Sequence, residues 1–394
     1  MSETSTKDFT VAIVGGGMCG LACSIGLTRA GINVKLFERT SKFEEIGAGI
    51  GLGPNAVRAL KQLGLLEHVL KAVNIADLTT QTSLQPTFLD ALMPLIDSNI
   101  VSFMKRLTSI TSLESDQYRL NFSDGTTYDA DVVVGADGIK STVRNAVVGP
   151  DEGRLAFSNR YIYRDRVSIA ELKALGVQGD VYTRLQAWLG FGKQIVTFPV
   201  NDHTILSITA AVNIHEPGAS PSPAEPSPWV QDVEQHELLK VYESDFGKDA
   251  LAILQLMTQP KRWALHTIYP PLKSYVNNRI VLIGDAAHAM VPFIGAGAGQ
   301  GFEDVYALCR FLAHPKVTKS TLSAALAAYD GYRRPRANMA LEQSLIAGDN
   351  LESLSPGGEE VTRQRIKKMY ETEWIHDLWH HDFEGEVTRV LEQL

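Results

Sequence analysis

The sequence is poor in cysteine, which excludes the small folds that depend on disulfide bonds. Its 394 residues include only three cysteines, Cys19, Cys23 and Cys309, an odd number with no repeated spacing. This usage indicates a reducing compartment rather than a disulfide framework. A thiol pair such as Cys19 and Cys23 supplies too few ligands for a zinc site, so we expect no metal centre. Cys19 and Cys23 are expected to be small, buried side chains.

Long apolar runs and an excess of basic residues are also absent. No stretch is apolar for long enough to cross a bilayer, and the polar N-terminus MSETSTKDF lacks the apolar core of a signal peptide. The formal net charge of −8 argues against a nucleic-acid-binding surface. We therefore expect a cytoplasmic protein that binds neither membranes nor nucleic acids. The length of 394 residues fits two domains, or one large α/β domain with an inserted layer.

A strand, a glycine-rich turn and a helix open the chain. Residues 9–14 have the short apolar run of a buried parallel strand, and the turn Gly15-x-Gly17-x-x-Gly20 precedes a helical pattern. The first glycine allows a tight turn, the second lets a pyrophosphate approach the backbone, and the third lets the helix pack on the strand. A second strand ends at Glu38, where a carboxylate can accept hydrogen bonds from ribose hydroxyls. This unit predicts dinucleotide binding, by NAD or FAD.

Two further buried strands end in a glycine and an aspartate. DADVVVGADGIKSTVR places Asp137 at the end of one, and RIVLIGDAAHAMVPFIGAGAGQG places Asp285 at the end of the other. A structural interpretation of Asp285 is an ordinary helix N-cap, followed by small residues that allow close packing. The functional interpretation is a ligand whose atoms approach the backbone behind Asp285. His288 is expected to be a structural histidine rather than a base.

The middle of the chain has a different pattern from both ends. Between about residues 155 and 215, apolar and polar residues alternate as in antiparallel strands, which predicts a separate layer or domain. A Pro/Ser-rich loop (216–228) and helical segments (236–258) follow. The α/β pattern returns with RIVLIGDAAH, and further helices are predicted over 304–314 and 322–345.

These motifs occur together in one known family. The glycine fingerprint, the ADG of residues 136–138 and the GDAAH…P that starts at Gly284 resemble the flavoprotein aromatic hydroxylases over nearly the whole chain. RWALHTIYPP, GAGAGQGFEDVYAL, YDGYRRPRAN and HHDFEGEV make the chain most similar to the salicylate-hydroxylase branch. The resemblance implies FAD as the bound cofactor and NADH or NADPH as a transient electron donor.

The resemblance also implies an α/β fold. We expect a Rossmann-like FAD-binding domain, an inserted mixed or antiparallel substrate domain and a helical C-terminal region. The predicted boundaries are 1–80, 97–155 and 275–350 for the FAD-binding domain, 81–96 and 156–274 for the substrate domain, and 351–394 for the C-terminal helical tail.

The family's cofactor contacts transfer to matching positions of this chain. By resemblance, Asp285 binds the ribityl chain, the segment from Pro292 to Gly299 lies against the isoalloxazine ring, and Asp137 belongs to the second fingerprint. Small residues in that segment let backbone approach the ring, and free N–H groups of the next helix can stabilise negative charge. The expected FAD-binding set is Gly15, Gly17, Gly20, Glu38, Arg39, Gly49, Gly51, Arg106, Asp137, Asp285, Pro292, Gly297, Ala298 and Gly299. For Arg106, a solvated surface charge is an equal alternative.

The activity implied by the resemblance is hydroxylation of an aromatic carboxylate with O₂ and NAD(P)H. Salicylate is the expected substrate, converted to catechol with loss of CO₂ by a monomer or homodimer. The reaction demands no acid–base side chain, since the cofactor carries the chemistry. Arg164 could pair with the substrate carboxylate, although a surface salt bridge is the alternative. Tyr182 and His203, in the same antiparallel layer, are weaker candidates for catalytic residues.

The chain departs from the family pattern between two predicted helices. Relatives have a longer connection that ends in a His-Arg pair whose arginine contacts FAD, whereas residues 74–87 read NIADLTTQTSLQPT. Leu84-Gln85 occupies the expected place of that pair, and Gln85 cannot supply a cation to a phosphate. Either another residue, such as Arg106, compensates, or FAD binding is weakened.

Three alternative functions follow. The first is a flavin monooxygenase that acts on another phenolic or polycyclic compound. The second is a catalytically impaired FAD-binding homologue, which the short connection suggests. The third is an NAD-dependent dehydrogenase, which leaves Asp285 and its neighbouring glycines unexplained.

Overall fold

The structure is a computed structural model of the chain. It describes residues 7–43, 50–72, 83–84, 87–150, 153–200, 203–215, 219–224, 228–352 and 358–394. The chain divides into two compact units. The first consists of Met1–Arg154, Ile268–Gln343 and His376–Leu394, and the second of Leu155–Thr267 and Ser344–Ile375. Among the described residues, none of the helices has the length and apolar character that crossing a membrane requires.

The chain up to Arg154 mixes strands with helices and then has a run of strands before its last helix. Its strands are β1 (Thr10–Val14), β2 (Asn33–Phe37), β3 (Ile50–Gly51), β4 (Ser83–Leu84), β5 (Val101–Ser102), β6 (Leu107–Ser112), β7 (Tyr118–Phe122), β8 (Thr127–Ala130) and β9 (Val132–Gly135). Its helices are α1 (Met18–Arg29), α2 (Pro54–Gln62), α3 (Leu66–Ala72), α4 (Thr87–Leu92) and α5 (Val143–Val148). Pro54 stands in the first turn of α2, where a missing N–H costs nothing.

The segment from Leu155 onward is mainly antiparallel sheet. Its strands are β10 (Leu155–Ser168), β11 (Gln186–Gly190), β12 (Lys193–Val200), β13 (Ile205–Asn213), β14 (Ser222–Pro223), β15 (Val230–Asp232) and β16 (Lys261–Ile268). Its helices are α6 (Ile169–Ala174), α7 (Gln235–Tyr242) and α8 (Lys248–Gln255).

The remainder of the chain is largely helical. Two strands, β17 (Val276–Asn277) and β18 (Ile280–Leu282), come first. The helices are α9 (Asp285–His288), α10 (Gly297–Ala313), α11 (Leu322–Leu351), α12 (Gly358–Glu371), α13 (Glu373–His380) and α14 (Phe383–Glu392).

A six-stranded sheet forms the centre of the first unit, in the order β17-β18-β9-β1-β2-β5. Strands β1, β2, β9 and β18 are parallel, and β1 and β9 are almost entirely apolar and buried, as parallel strands covered on both faces require. In register, Val14 pairs with Gly135, and Gly135 with Leu282. The carboxyl ends of three strands therefore meet at one edge of the sheet. This architecture confirms the predicted α/β fold.

A seven-stranded sheet forms the second unit, and helices α7 and α8 pack on one of its faces. The core between them includes Tyr163 of β10 and Ile208 of β13, packed against Leu238 and Ile253 of the two helices. Side chains alternate along a strand, so Arg164, next to Tyr163, belongs to the opposite face. The predicted change to antiparallel structure after residue 155 is confirmed.

Several segments fall outside the units to which the sequence analysis assigned them. Residues 268–274, assigned to the substrate domain, belong to the first unit, and residues 344–375, assigned to the FAD-binding domain and the tail, belong to the second. Residues 87–96 were assigned to the substrate domain, but helix α4 lies in the first unit, where Phe88 is buried and its ring centroid lies 5.4 Å from that of Phe302. Residues 376–394 were assigned to a separate tail, but they also belong to the first unit. The ring of Trp379 lies so close to Gly53 that a Cβ there would meet it at 2.0 Å.

Candidate functional site

Two of the fingerprint glycines after β1, Gly15 and Gly20, leave no room for a side chain against the backbone. Gly15 has φ +104°, and a Cβ on it would lie 2.3 Å from the carbonyl oxygen of Ala136. A Cβ on Gly20 would lie 1.9 Å from the carbonyl oxygen of Gly15. Glycine at these positions therefore lets β1, β9 and helix α1 pack together, as the fingerprint predicts.

The start of helix α1 suits an anionic ligand. Gly17 is the N-cap residue, no side chain caps the helix, and its first turn holds no acidic residue. The space around Gly17 is open, since a Cβ there would meet nothing within 4 Å. Free N–H groups and the positive end of the helix dipole thus face open space, which fits a pyrophosphate.

Glu38 connects the end of β2 to the glycine turn. Its Oε2 accepts a hydrogen bond from the N–H of Gly16 at 2.7 Å, and its Oε1 accepts from the N–H and Oγ1 of Thr40 at 2.8 and 2.9 Å. The side chain is only half-buried. A carboxylate offers about four acceptor positions, so capacity remains for a ribose hydroxyl.

The other residues expected near the adenosine and phosphate groups are on the surface or outside the described part. Arg39 and Arg106 are exposed, and the Arg106 side chain makes no hydrogen bond within the described part of the chain. Gly51 pairs with Ser83 in the small β3–β4 sheet. Gly49 and Gln85 lie outside the described residues.

Asp285 begins helix α9 but does not cap it. The N-cap is Gly284, with φ 59°, a conformation that favours glycine. Within the described part of the chain, the Asp285 carboxylate makes no hydrogen bond, and it is accessible to water. Protein atoms nevertheless crowd it, and this desolvation raises the pKa of Asp285, with His288 and Arg144 opposing the rise. A free acceptor of this kind fits a ligand hydroxyl, and the N-cap interpretation is wrong.

Asp137 has a structural task at the neighbouring strand end. Its carboxylate accepts hydrogen bonds from Ser141 Oγ at 2.6 Å and from the N–H groups of Thr142 and Val143 at 2.7 and 3.2 Å. It thereby binds the start of helix α5. Burial raises the pKa of Asp137, although these hydrogen bonds oppose the rise.

Arg144 was missed by the sequence analysis. It is buried, and its guanidinium donates to the carbonyl oxygens of Ala286 at 3.1 Å and Ile139 at 2.7 Å. Burial lowers its pKa, while the charges of Asp137 and Asp285 oppose that change. Arg144 thus ties the two Asp-bearing strand ends together. The sequence held no clear signal for it, since an arginine among the polar residues of STVRN resembles a solvated surface charge.

The segment expected to contact the flavin ring turns sharply before helix α10. Pro292 starts a short 3₁₀ turn that ends at Gly295, whose φ is 62°. Helix α10 then begins at Gly297 without a side-chain cap and without an acidic residue in its first turn. Its free N–H groups can therefore stabilise negative charge, as expected for Ala298 and Gly299.

A buried group of charged side chains lies behind this segment, and the sequence analysis missed it as well. Asp304 accepts from the N–H of Gly284 at 2.9 Å, from His288 Nε2 at 2.6 Å and from Arg333 Nε at 2.8 Å. Arg333 also donates to Glu303 at 2.7 Å. His288 is fully buried in this arrangement and structural, as predicted. Adjacent acidic residues in the apolar run GFEDVYAL were the signal that could have revealed it.

Of the three candidate catalytic residues, Arg164 is the one whose charge has no counter-ion among the described residues. It is half-buried, and its buried Nε has no hydrogen-bond partner in the described ranges. Burial lowers its pKa, and the neighbouring charge of Arg166 adds to the effect. By contrast, Arg160, on the same face of the sheet, forms an ion pair with Glu352 at 2.9 Å.

Tyr182 and His203 lie together but have structural partners. The Tyr182 hydroxyl donates to the carbonyl oxygen of Val177 at 2.7 Å, and its ring packs against the core between the sheet and α7–α8. His203 is exposed, and its Nδ1 lies 2.9 Å from the Tyr182 carbonyl oxygen. Tyr182 thus faces the side of the sheet opposite to that of Arg164.

The described residues of the first unit fit FAD. An uncapped α1 behind an open glycine turn suits the pyrophosphate, Glu38 suits the adenosine ribose, and the unpartnered carboxylate of Asp285 suits a ribityl hydroxyl. The small residues before α10 leave backbone N–H groups accessible to a planar ring.

Comparisons with known proteins agree with this geometry. Residues 8–93 and 100–344 match the model of the FAD binding domain family. The chain is 35% identical to a salicylate hydroxylase of Pseudomonas putida, covering 96% of this chain and 93% of the relative. It is 32% identical to the 6-methylsalicylate 1-monooxygenase of Aspergillus terreus, covering 86% of this chain and 82% of the relative.

Solved structures give the same result. A salicylate hydroxylase in complex with its substrate has a TM-score of 0.85 and 32% identity, with 98% of each chain covered. The fold is shared with HpxO of Klebsiella pneumoniae, solved with FAD and uric acid, at a TM-score of 0.70 and 20% identity, with 97% of this chain and 96% of that chain covered. The resemblance in the sequence motifs is thereby confirmed, and FAD is the cofactor that the family binds. The chain belongs to the FAD-dependent aromatic monooxygenases, and within them to the salicylate hydroxylase type.

Proposed function

We propose that this enzyme hydroxylates an aromatic ring that carries both a carboxylate and a hydroxyl group, with salicylate as the substrate. The balanced reaction is salicylate, O₂, NAD(P)H and two protons giving catechol, CO₂, water and NAD(P)⁺. The ring carbon loses its carboxylate as CO₂ and gains one oxygen atom of O₂. The other oxygen atom leaves as water, and the nicotinamide supplies the two electrons.

The observation that carries this proposal is the Arg164 cation, for which no described residue supplies a counter-ion. A guanidinium that is half-buried, with a buried Nε lacking a partner in the described part of the chain, leaves strong donors unused. Such donors bind carboxylates in a bidentate manner, and an aromatic acid supplies that group on an apolar body. Relatives named for salicylate and 6-methylsalicylate, both of them ring carboxylates, support the same substrate class.

A second unused donor belongs to the same face of the sheet. In register, Arg164 pairs with Thr209 and Thr209 with Val196, so Gln194, two residues from Val196, shares their side. The Gln194 side chain is buried, and its Nε2 has no hydrogen-bond partner among the described residues. An amide and a guanidinium on one face offer donors for an oxygen-rich substrate.

The residues of this chain bind and orient the reactants rather than transfer protons. When bound, FAD would supply the redox chemistry, which is hydride uptake from NAD(P)H and activation of O₂ for oxygen transfer. Asp285 and the start of α10 would hold the cofactor, and Arg164 would hold the substrate carboxylate. Fixing the ring in this way selects which carbon reacts.

The decisive test compares Arg164→Ala with the matched variant Arg166→Ala, an exposed arginine on the same face. We expect Arg164→Ala to raise the KM for salicylate by roughly 10- to 100-fold, since a buried charged hydrogen bond is worth about 1.5–3 kcal/mol. Flavin content should stay that of wild type. NADH oxidation stimulated by a phenol that lacks a carboxylate should barely change, and Arg166→Ala should behave as wild type. Equal losses with both compounds would mean that Arg164 supports the fold, and no loss would remove it from the site.

A substrate panel separates this proposal from its alternatives. NADH oxidation should be stimulated most by 2-hydroxybenzoates, and carboxyl-labelled salicylate should release labelled CO₂ in step with catechol. Stimulation by phenols or polycyclic compounds alone would favour another monooxygenase substrate. Bound FAD without stimulation by any compound would favour an impaired homologue, as the short connection at 74–87 suggests.

A further inference from the structure

A buried cluster of charged and polar side chains lies directly behind the two segments expected to contact FAD. We call it the Arg333 cluster; its members are Asn55, Glu303, Asp304, Arg333 and Arg336. All five are at most 8% exposed, and they come from helices α2, α10 and α11 of the first unit. Ion pairs so deeply buried are often no better for stability than apolar side chains. Such a cluster can instead fix the geometry of the backbone around it.

Asp304 holds both flanks of Asp285. Its Oδ2 accepts from the N–H of Gly284, the preceding residue, at 2.9 Å and from His288 Nε2, one turn further on, at 2.6 Å. Its Oδ1 accepts from Arg333 Nε at 2.8 Å. Three donors thus converge on one carboxylate. Burial opposes the charge of Asp304, but His288 and Arg333 hold the pKa of Asp304 below its ordinary value.

Glu303, the next residue, reaches the second segment. Its carboxylate accepts from Arg333 at 2.7 Å, from Arg336 at 2.8 Å and from Asn55 Nδ2 at 2.8 Å. The Asn55 amide lies under Gly299, where a Cβ would meet Nδ2 at 2.7 Å. One guanidinium, that of Arg333, therefore joins the residues behind Asp285 to those behind Gly299.

We propose that Asp304, fixed by Arg333, is a positioning residue that sets the place of Asp285 for FAD. Gly284 has φ 59°, and in the described part of the chain its N–H donates to Asp304, which ties the residue before Asp285 to helix α10. The proposal rests on the expected contact between Asp285 and FAD. Asp304 touches no reacting atom and acts through Asp285.

The test is a double-mutant cycle on FAD affinity in Asp285→Ala, Asp304→Asn and the double variant. An asparagine oxygen can accept from Gly284 or from Arg333 but cannot retain all three donors. We expect Asp304→Asn to raise the Kd for FAD at least tenfold and to shift the visible absorption spectrum of the bound flavin. In the Asp285→Ala background, the same change should alter the Kd by less than about twofold, because coupled residues are not additive.

The matched control is Asp131→Asn. Asp131 is another buried carboxylate of the first unit, and its Oδ2 accepts from the N–H and Oγ1 of Thr10 at 2.8 and 2.9 Å. This pair lies where β1 and β9 begin, whereas the expected FAD contacts lie where these strands end. Both asparagine variants are expected to lower the temperature of unfolding, but only Asp304→Asn should change FAD affinity and the flavin spectrum. Additive effects in the cycle, or equal FAD affinity in both variants, would overturn the proposal.

A second variant covers the case in which Asp304→Asn fails to fold. Arg333→Lys keeps the charge but cannot reach Asp304 and Glu303 with a planar fork. It should show the same non-additivity with Asp285→Ala, and additivity would overturn the proposal here too. Unchanged FAD affinity in Asp285→Ala alone would instead refute the expected Asp285–FAD contact, so the two failures are distinguishable.

Discussion

Glu38 illustrates, at the scale of the residue, how one carboxylate serves both the protein and a nucleotide. It joins Gly16 to Thr40 through hydrogen bonds of 2.7 and 2.8 Å, so it holds the turn in shape before any ribose is bound. Sequence reasoning anticipated only the ribose contact. The structural contact could not be predicted, because it depends on the side-chain rotamer and on the path of the turn.

We expect Glu38→Ala to weaken FAD binding roughly 10- to 100-fold, since a charged hydrogen bond contributes about 1.5–3 kcal/mol. The measurement is a titration of apoprotein with FAD, followed by flavin fluorescence. Asp129→Ala is the control, because Asp129 pairs with Arg119 on the surface of the β7–β8 hairpin. An FAD affinity equal to that of the control would refute the ribose assignment.

Helix α1 shows, at the scale of the element, that glycines of one fingerprint have separate tasks. A Cβ on Gly20 collides with the backbone at 1.9 Å, whereas a Cβ on Gly17 meets nothing within 4 Å. Gly17 also has φ −73°, which alanine adopts without strain. One glycine is thus required by the fold and the other by the ligand.

Gly17→Ala and Gly20→Ala should therefore fail in different ways. The free energy of unfolding of Gly17→Ala is expected to lie within about 0.5 kcal/mol of the wild-type value. The variant should nevertheless bind FAD at least tenfold more weakly, because the added methyl group occupies the space expected for the pyrophosphate. Gly20→Ala is expected to lose roughly 3 kcal/mol of stability because helix and strand must separate. Urea unfolding of the apoprotein and FAD titration measure the two effects. Wild-type FAD affinity in a folded Gly17→Ala would contradict this division.

Helix α10 shows the limit of prediction from pattern at the same scale. The sequence predicts a helix from residue 304, but it begins at Gly297. Glycine and alanine carry no hydrophobic period, and glycine has a poor intrinsic preference for helix, so only tertiary packing reveals the earlier turn. The long helix α11 likewise continues to Leu351 and contains Pro335 within it.

At the scale of the whole molecule, the parts of the fold that follow from a local sequence pattern were predictable. The βαβ unit, the antiparallel region and the strand-end aspartates each follow from a short run of residues with a physical requirement. The acidic pair in GFEDVYAL hinted at a buried charged group, but its partners were not predictable, because contacts such as Arg333 with Glu303 and Arg144 with Ala286 join residues far apart in sequence. For the same reason the sequence favoured Tyr182 and His203 over residues whose hydrogen bonds are unused, such as Gln194.

At the scale of the whole molecule, FAD should stabilise the chain by mass action. At an FAD concentration 100 times the Kd, the expected gain is about 2.7 kcal/mol, if the unfolded chain does not bind FAD. The temperature of unfolding should rise with FAD concentration. FMN is the control ligand, because it lacks the adenosine that Glu38 and the glycine turn are expected to hold, and it should raise the temperature of unfolding less than FAD does. An equal rise with FMN would contradict that assignment.

Stability should also depend on pH through Glu352. Its carboxyl is fully buried, and Oε1 has no partner in the described ranges, so burial raises the pKa to about 7 despite the ion pair with Arg160. The folded chain therefore binds a proton between pH 4.5, the ordinary pKa, and about pH 7. The contribution to stability is complete below the ordinary pKa and disappears as the pH rises through 7.

The expected loss between pH 5 and pH 8 is on the order of 1–3 kcal/mol, since each pKa unit corresponds to about 1.4 kcal/mol. Urea unfolding of the FAD-saturated protein at both pH values measures it. Glu352→Gln mimics the protonated carboxyl and should remove this dependence, whereas Glu359→Gln, with a side chain 86% exposed, should retain it. A Glu352→Gln variant with the pH dependence of wild type would show that Glu352 does not titrate in this range.

The order in which a ribosome makes this chain matters for the first unit. That unit is assembled from residues up to Arg154, from Ile268–Gln343 and from His376–Leu394, and residues of the second unit stand between them. Trp379 covers the backbone of Gly53, and the Arg58 guanidinium donates to the carbonyl oxygens of Trp379 and His381 at 3.1 and 2.8 Å. Consecutive domains usually fold from the N-terminus during synthesis, but the first unit cannot be completed in that way. We therefore expect the region of helix α2 to keep apolar surface exposed until residues 376–394 have been synthesised, and chaperones to bind it in the nascent chain.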